Sequence, residues 1–241
     1  MALTSLLKDI FRRFGLEIGP YDLVFHPVER RMQLINFYQV DMIFDVGANR
    51  GQFVKEMRAH GYPGKVVSFE PMSGAYAELV QALRADRLWK GMQIALGDRE
   101  GEAEINISGN SFSSSLLDLL PRHTQTAPAS KYIGKEKIAI KRLDSLMPAL
   151  YADKSLYLKI DTQGFEYAVL QGATNTLRNF AVGVQLELSA VPLYKDQKLF
   201  IEICQYLSSY GFTLMSIEPG FSDPKTGQLL QFDGIFFKTM A

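Results

Sequence analysis

Met42-Ile43-Phe44-Asp45-Val46-Gly47-Ala48-Asn49-Arg50-Gly51-Gln52-Phe53-Val54 is the stretch that decides the fold. An apolar run ends on an acid, a glycine-bearing turn follows, and the turn opens a helical pattern that carries Phe53, Val54 and Met57. That order predicts strand, tight turn, helix, with glycines at the points of close backbone approach and the first helical N–H groups above the strand end. Nineteen residues past Gly51 stands Glu70, which closes a second short apolar run, Val66-Val67-Ser68-Phe69. An acid at the end of the second strand of a βαβ unit accepts ribose hydroxyls. The pair of segments implies a nucleoside-binding half-fold.

Outward from this unit the chain keeps alternating. Helical patterns cover 51–60 and 75–83, and a third strand ends at Leu96-Gly97-Asp98. A strand or hairpin arm is expected over 102–108. An interruption at 109–135 contains Gly109-Asn110-Ser111-Phe112-Ser113-Ser114-Ser115 and a short helix over 116–120 stopped at Pro121. Strands are expected at 137–141, 155–161 and 182–189, helices at 144–150, 165–179 and 199–210, and two late strands, 212–218 and 232–238, with no helix between them. Strand–helix alternation means a mostly parallel sheet covered on both faces. The antiparallel close is the arrangement of class I methyltransferases, a Rossmann-like seven-stranded α/β sheet of order 3-2-1-4-5-7-6.

Composition narrows the class. At 241 residues the chain suits one α/β domain, expected over 41–241, with residues 1–40 as a helical extension packed on it. Within that extension, Leu3, Leu6, Leu7, Ile10, Phe11 and Phe14 share one helical face. Lys+Arg and Asp+Glu both total 26, so no net field draws the chain to nucleic acid. The one cysteine, Cys204, rules out an internal disulfide framework and a cysteine-rich metal site. No apolar run reaches the ~20 residues of a membrane span, and the N-terminus lacks a secretory core, which sets a cytoplasmic expectation. A homodimer remains open.

The first turn also bears on the ligand. Asn49 stands where a dinucleotide fingerprint needs its second glycine, and no phosphate-cradling Gly-x-x-x-x-Gly-Lys motif occurs. An acid at the strand end suits a ligand carrying ammonium and sulfonium groups better than a pyrophosphate, which favours S-adenosyl-L-methionine.

Taken together, Asp45-Val-Gly-Ala-Asn-x-Gly51, Ser68-Phe-Glu-Pro71, Ala95-Leu-Gly97, Asn110 with Ser113-Ser-Ser115, Lys159-Ile-Asp-Thr-Gln-Gly-Phe-Glu166, Val169-Leu-x-Gly172-Ala and Glu187-Leu-Ser189 are collinear over roughly residues 40–240. This set resembles the FkbM family of S-adenosylmethionine-dependent methyltransferases. The resemblance implies O-methylation of a hydroxyl on a sugar, glycan or small secondary metabolite. It places Asp45, Gly47, Ala48, Asn49 and Gly51 under the methionine part of the cofactor. Glu70, flanked by Phe69 and Pro71, would take the ribose diol, and Ala95, Leu96 and Gly97 would flank the adenine, with Asp98 or a backbone amide at its edge.

Strands over 155–161 and 182–189 bring charge into positions that central parallel strands normally keep apolar. Lys159, Asp161 and Glu187 must therefore find partners near the C-terminal sheet edge, since unpartnered burial costs several kcal/mol per ion. Two readings stay open. Either Lys159 and Glu187 pair and prop the cleft, or Asp161 (also beside the cofactor) positions or deprotonates the acceptor while Lys159 stabilises the alkoxide. Glu166 is acid–base material or a first-turn helix acid. Asn110, Ser113, Ser114, Ser115, Gln163 and Gly164 are candidate acceptor contacts, the serines equally a helix N-cap. His123 and His26 are candidate bases or plain loop histidines. Lys159 amid these acids argues against a metal. A nucleoside-binding module without turnover is the alternative from another class, followed by a nicotinamide oxidoreductase.

Overall fold

The computed structural model describes residues 26–150 and 155–239, together with Phe11, Arg13 and Phe14. The helix expected over 3–14 lies largely outside the described residues.

The elements are α1 (Pro27–Phe37), β1 (Met42–Val46), α2 (Gln52–Ala59), β2 (Lys65–Phe69), α3 (Ser73–Leu83), β3 (Trp89–Met92), β4 (Ala95–Leu96) and β5 (Gly101–Ser108). They continue as α4 (Pro121–Thr126), a 3-10 turn (Pro128–Ser130), β6 (Tyr132–Lys141), α5 (Leu143–Leu150), β7 (Leu156–Ile160), α6 (Glu166–Gln171), α7 (Thr174–Asn179), β8 (Ala181–Ser189), α8 (Phe200–Ser208), β9 (Phe212–Pro219) and β10 (Gln231–Lys238).

Seven strands form the large sheet, in the order β3-β2-β1-β7-β8-β10-β9. Numbered among themselves they run 3-2-1-4-5-7-6. In full chain numbering the order departs from the expected one because β4, β5 and β6 form a separate sheet, β4-β6-β5. β3, β2, β1, β7 and β8 pair in parallel, and β10 is antiparallel to both β8 and β9.

The central strands β1 and β7 are buried at every residue. Their alternate residues feed two cores. Phe44, Leu158 and Leu186 pack with Met147 of α5, Leu170 of α6, Leu177 of α7 and Leu207 of α8. On the opposite face, Ile43, Tyr157 and Phe237 pack with Ile35 of α1, Met57 of α2 and Leu79 of α3. Side-chain period two against helical period 3.6 is enough to generate this sandwich. Among the described residues no helix is long and apolar enough to cross a membrane.

Four local expectations change. The strand ending at Asp98 divides: Trp89–Met92 joins the large sheet, and Ala95–Leu96 pairs with β6 in the small one. The short helix falls at 121–126, not 116–120, because Pro121 starts it; its missing N–H is one a first turn leaves unpaired anyway. The helix over 165–179 breaks at Gly172, which lies so close to the Gly97 carbonyl that a Cβ there would sit 1.8 Å from its oxygen. β6 begins at Tyr132, so the insertion is shorter than 109–135.

Candidate active site

At the C-terminal ends of β2, β1, β7 and β8 lies a cavity of about 460 Å³. Its first wall is the turn after β1. The amides of Gly47 and Ala48 donate to the Phe69 carbonyl at 2.9 and 3.1 Å, which ties the turn to β2. Gly47 (φ +76°) passes against β7, and a Cβ there would lie 1.8 Å from the Asp161 carbonyl oxygen. Only glycine fits both the dihedral and the contact.

Asn49 follows, also left-handed at φ +46°, with its amide donating to Glu70 Oε2 at 2.8 Å. Met72 N–H donates to Glu70 Oε1 at 2.9 Å. Each oxygen of this buried carboxylate thus holds one N–H and keeps a second lone-pair site. Burial pushes the Glu70 carboxyl up to about 7, against the two N–H donors that favour its charge. Phe69, Pro71, Met72, Ala95, Leu96 and Phe165 line an apolar slot next to it.

A polar row crosses the sheet beneath. Trp89 Nε1–H donates to Ser68 Oγ (3.0 Å), and Ser68 Oγ–H to Asp45 Oδ2 (3.3 Å). Lys159, directly opposite Asp45 in register, sets Nζ 3.3 Å from Asp45 Oδ1 and 3.6 Å from Asp161 Oδ2. Burial works against the Lys159 charge, but Asp45, Asp161 and Asp233 outweigh it and its pKa is raised. It stays an ammonium.

The far end is built by β8, β10 and β9. Asp233 is register partner of both Glu187 and Glu218, so three acids stand side by side. Burial, followed by Asp161, Glu166 and Asp233, raises the Glu187 carboxyl well above its ordinary range. Burial pushes Asp233 up to about 6. Gln163 Nε2 donates to both Asp161 Oδ1 (2.9 Å) and Glu187 Oε2 (2.6 Å), and Gln231 Nε2 donates to the same Glu187 oxygen at 2.7 Å. Arg31 of α1 closes this end. It is paired to Glu218 by two hydrogen bonds of 3.2 and 3.1 Å and to Glu56 at 2.9 Å, with its guanidinium 5.4 Å from the Phe53 ring centre.

The profile of the methyltransferase FkbM domain matches residues 45–214, the segment that carries both the Glu70 cradle and the Asp161–Glu187 clamp. The chain belongs to the FkbM methyltransferase family. It is an S-adenosylmethionine-dependent methyltransferase, and S-adenosyl-L-methionine is its cofactor. No curated protein matches the sequence. Among solved structures, an rRNA methylase from Streptococcus thermophilus has 9% identity and a TM-score of 0.49, covering 92% of this chain and 100% of that one. TehB from Haemophilus influenzae has 8% identity and a TM-score of 0.48, covering 88% and 62%. Aeropyrum pernix fibrillarin, solved with natively bound S-adenosyl-L-methionine, has 11% identity and a TM-score of 0.46, covering 81% and 66%.

The FkbM site fits this cofactor by its own chemistry. Glu70 has two spare acceptor positions for a vicinal diol. Asn49 Oδ1 and Ser111 Oγ, on residues that line the cavity, are buried and have no hydrogen-bond partner among the described residues, so polar ligand atoms have groups to satisfy. Glu70, Asn49, Gly47 and Ala48 would hold the cofactor, which supplies an electrophilic methyl group on a sulfonium.

Several residues expected in the FkbM site are placed elsewhere. Asp45 is fully buried beneath the floor, occupied by Ser68 and Lys159. Gly51 does not reach the cavity; its missing Cβ makes room for Leu79 and Leu83 of α3. Gly97 likewise yields to Ile140 and Phe165, and Asp98 sits 3.7 Å from Arg99 away from the cavity. Lys159 pairs with Asp45 and Asp161, not with Glu187. The Glu166 carboxylate points back into its own turn, accepting from Thr162 N (2.9 Å), Thr162 Oγ1 (3.2 Å) and Gly164 N (3.1 Å), and burial pushes it up to about 7.

Gly164 packs on the Tyr194 ring. Asn110 and Ser113 bond each other and shape the insertion turn, and Ser115 Oγ–H donates to the Gln163 carbonyl at 2.7 Å. Only Ser114 of that serine run lines the cavity, with Ser111 and Phe112 beside it. His123 is buried behind Tyr194, and His26 stands at the N-cap position of α1 without a side-chain capping bond; neither lines the cavity.

Sequence reading missed Arg31, Glu56, Gln185, Glu218 and Asp233. Their signal was weak: a charge on a helix face or near a strand end is ordinary, as is one neutral amide such as Gln185 within a strand, and only the packing of α1, α2 and the strands brings these residues together.

Proposed function

We propose that the chain methylates a hydroxyl of a sugar, glycan or other small polyhydroxylated molecule, bound over β8, β10 and β9 beside the cofactor. The observation that carries this reading is the lining of the far end: Asp161, Glu187, Asp233 and Glu218 interleaved with the amides of Gln163 and Gln185. Such a set offers many acceptors and a few donors, as hydroxyl groups require. It is a poor surface for a phosphate backbone, which supports an acceptor other than nucleic acid. Glu70 follows β2 and Glu218 ends β9, five strand spacings away, about 24 Å at ~4.8 Å each, which leaves room for an acceptor beside the cofactor.

In this reading Asp161, the more open carboxylate with 36% of its side chain exposed, aligns the hydroxyl and receives its proton as the new bond forms. Lys159, 3.6 Å away, holds that carboxylate in place. Gln163 sets its distance from Glu187.

The test is calorimetric titration with S-adenosylhomocysteine, followed by transfer from methyl-labelled cofactor to a panel of monosaccharides, oligosaccharides and hydroxylated metabolites, with RNA alongside. Base-stable label in a neutral hydroxylated acceptor is expected. Label in RNA, or base-labile label on a carboxylate, would sink the acceptor assignment. Binding with no transfer to any acceptor would favour a module without turnover.

A further inference from the structure

Tyr194 and His123 are buried titratable groups that the mechanism above does not use. Tyr194 is 1% exposed and His123 2% exposed. Tyr194 lies after β8, where Leu119 of the insertion forms a β-bridge to it and Leu193, Leu230, Leu117 and Phe221 pack around it. Its ring fills the space left by Gly164. Its hydroxyl lies 2.7 Å from Gln163 Oε1 and 3.4 Å from His123 Nε2. His123 Nδ1 is 2.9 Å from Ser130 Oγ, so the histidine is held from within the insertion.

The proton inventory fixes the direction of this chain. A glutamine amide has two N–H donors on nitrogen and an acceptor on oxygen. Both Gln163 donors are used, one on Asp161 and one on Glu187, so its oxygen must accept. Tyr194 supplies that proton. Without it, the two faces of the amide are nearly equal in shape, and a flip would turn a carbonyl oxygen onto two carboxylates. Gln163 itself stands at φ +55°, outside the range most side chains prefer, and its backbone carbonyl is held by Ser115. The residue is thus fixed at three points, two of them by the insertion or by the residue on which the insertion docks.

We propose that Tyr194, backed by His123, is a positioning residue that locks the Gln163 amide so that its one nitrogen holds Asp161 and Glu187 together at the acceptor end. Docking of the insertion and assembly of the two carboxylates are then a single event. This rests on the reading of Asp161 and Glu187 as the acceptor-side acids.

The experiment needs no acceptor. Side-chain carboxyl carbons are labelled with ¹³C, and Asp161 and Glu187 are titrated by NMR in the parent, Tyr194→Phe and Gln163→Asn proteins. Tyr194→Phe keeps the ring and removes the hydroxyl. Gln163→Asn withdraws the amide by one methylene, at a positive φ that asparagine tolerates.

Amide donors favour the ionised form, so loosening them raises the apparent midpoint of the pair. An upward shift of about half to one pH unit is expected in both variants, a three- to tenfold rise in proton affinity. The other charged groups facing the pair are Lys159, Asp45, Glu166 and Asp233, and both variants leave them intact. Unchanged midpoints in either folded variant would overturn the proposal, since a merely structural tyrosine would lower melting temperature without moving them. Should Tyr194→Phe fail to fold, 3-fluorotyrosine at position 194, a stronger donor on the same ring, takes its place: a lower midpoint is expected, and an unchanged one would overturn the proposal. S-adenosylhomocysteine binding is measured on the same samples. Its absence in the parent would refute the functional reading while leaving the titration interpretable.

Discussion

Replacing Glu70 with glutamine tests the cradle at the level of single hydrogen bonds. In the folded chain its carboxyl titrates near 7, held up by burial, against an ordinary value of 4.5. That gap corresponds to on the order of 3 kcal/mol. The native state binds the extra proton between these values, so this group's contribution to stability falls as pH rises from 4.5 through 7 and is constant above. Cofactor binding has the opposite sign. In the proposed cradle two ribose hydroxyls would donate to the ionised form and lower its pKa, so binding below pH 7 would expel a proton. Affinity for S-adenosylhomocysteine should therefore weaken by up to about tenfold between pH 8 and pH 6.

In Glu70→Gln the slope attributable to this residue disappears. Two hydrogen bonds to a charged acceptor, about 1.5–3 kcal/mol each, give way to one neutral bond of about 1 kcal/mol, so the loss is roughly 2–5 kcal/mol, or about 30- to 5000-fold in Kd. One of the Asn49 and Met72 amides also faces an NH₂ group and loses its acceptor. The assay is isothermal titration at pH 6, 7 and 8 in two buffers of different ionisation enthalpy, which counts protons directly. Glu166 and Asp233 titrate in the same window, near 7 and 6, so the difference between parent and variant is the readout. A variant that binds within threefold of the parent, with the same pH slope, would refute the reasoning.

Gly47→Ala should destabilise the fold by 3 kcal/mol or more, about 6–12 °C in Tm, because its Cβ meets the Asp161 carbonyl at a left-handed dihedral; an unchanged melting curve would contradict that contact. Arg31→Met leaves Glu218 buried without its bidentate partner and should cost about 3–5 kcal/mol. Adding Glu218→Leu should recover most of that, and a double variant no better than the single would show the pair is not the cause. Asp144→Ala removes the acceptor for Thr176 N–H (2.8 Å) and Asn175 N–H (2.9 Å) at the start of α7, and denaturant unfolding should register a loss of about 1–2 kcal/mol with cofactor affinity intact.

The cofactor half was readable because its signals are local. Asp45 to Gly51 and Ser68 to Pro71 specify a turn and a strand end by residue type alone, and Asn49 and Glu70 from those two segments meet at the cavity. The glycines were legible as necessary but not in their reasons: Gly47 and Gly172 make room for carbonyls more than a hundred and some seventy residues away in sequence, and Gly51 for the leucines of α3.

The acceptor half was harder because it depends on register between distant strands. Asp233 gains meaning only from standing between Glu187 and Glu218, and Arg31 only from α1 lying along β9. Glu166 shows the limit from the other side: a charged residue inside a motif reads as chemistry, and the backbone of its own turn used both its reach and its charge.

The insertion is stitched at its base. Asn106 and Ser115 exchange both backbone hydrogen bonds, at 2.9 and 3.1 Å, and Gly109 N–H reaches the Lys131 carbonyl at 3.0 Å. Because β5 and β6 hold its two ends side by side, a replacement loop of different length would add little closure entropy, each doubling costing only about 0.6 kcal/mol. The segment is in effect a cassette on a fixed socket. Exchange of that cassette among relatives is a route by which one methyl-donor scaffold can be retargeted to new acceptors, provided that each new loop brings its own contact to Tyr194.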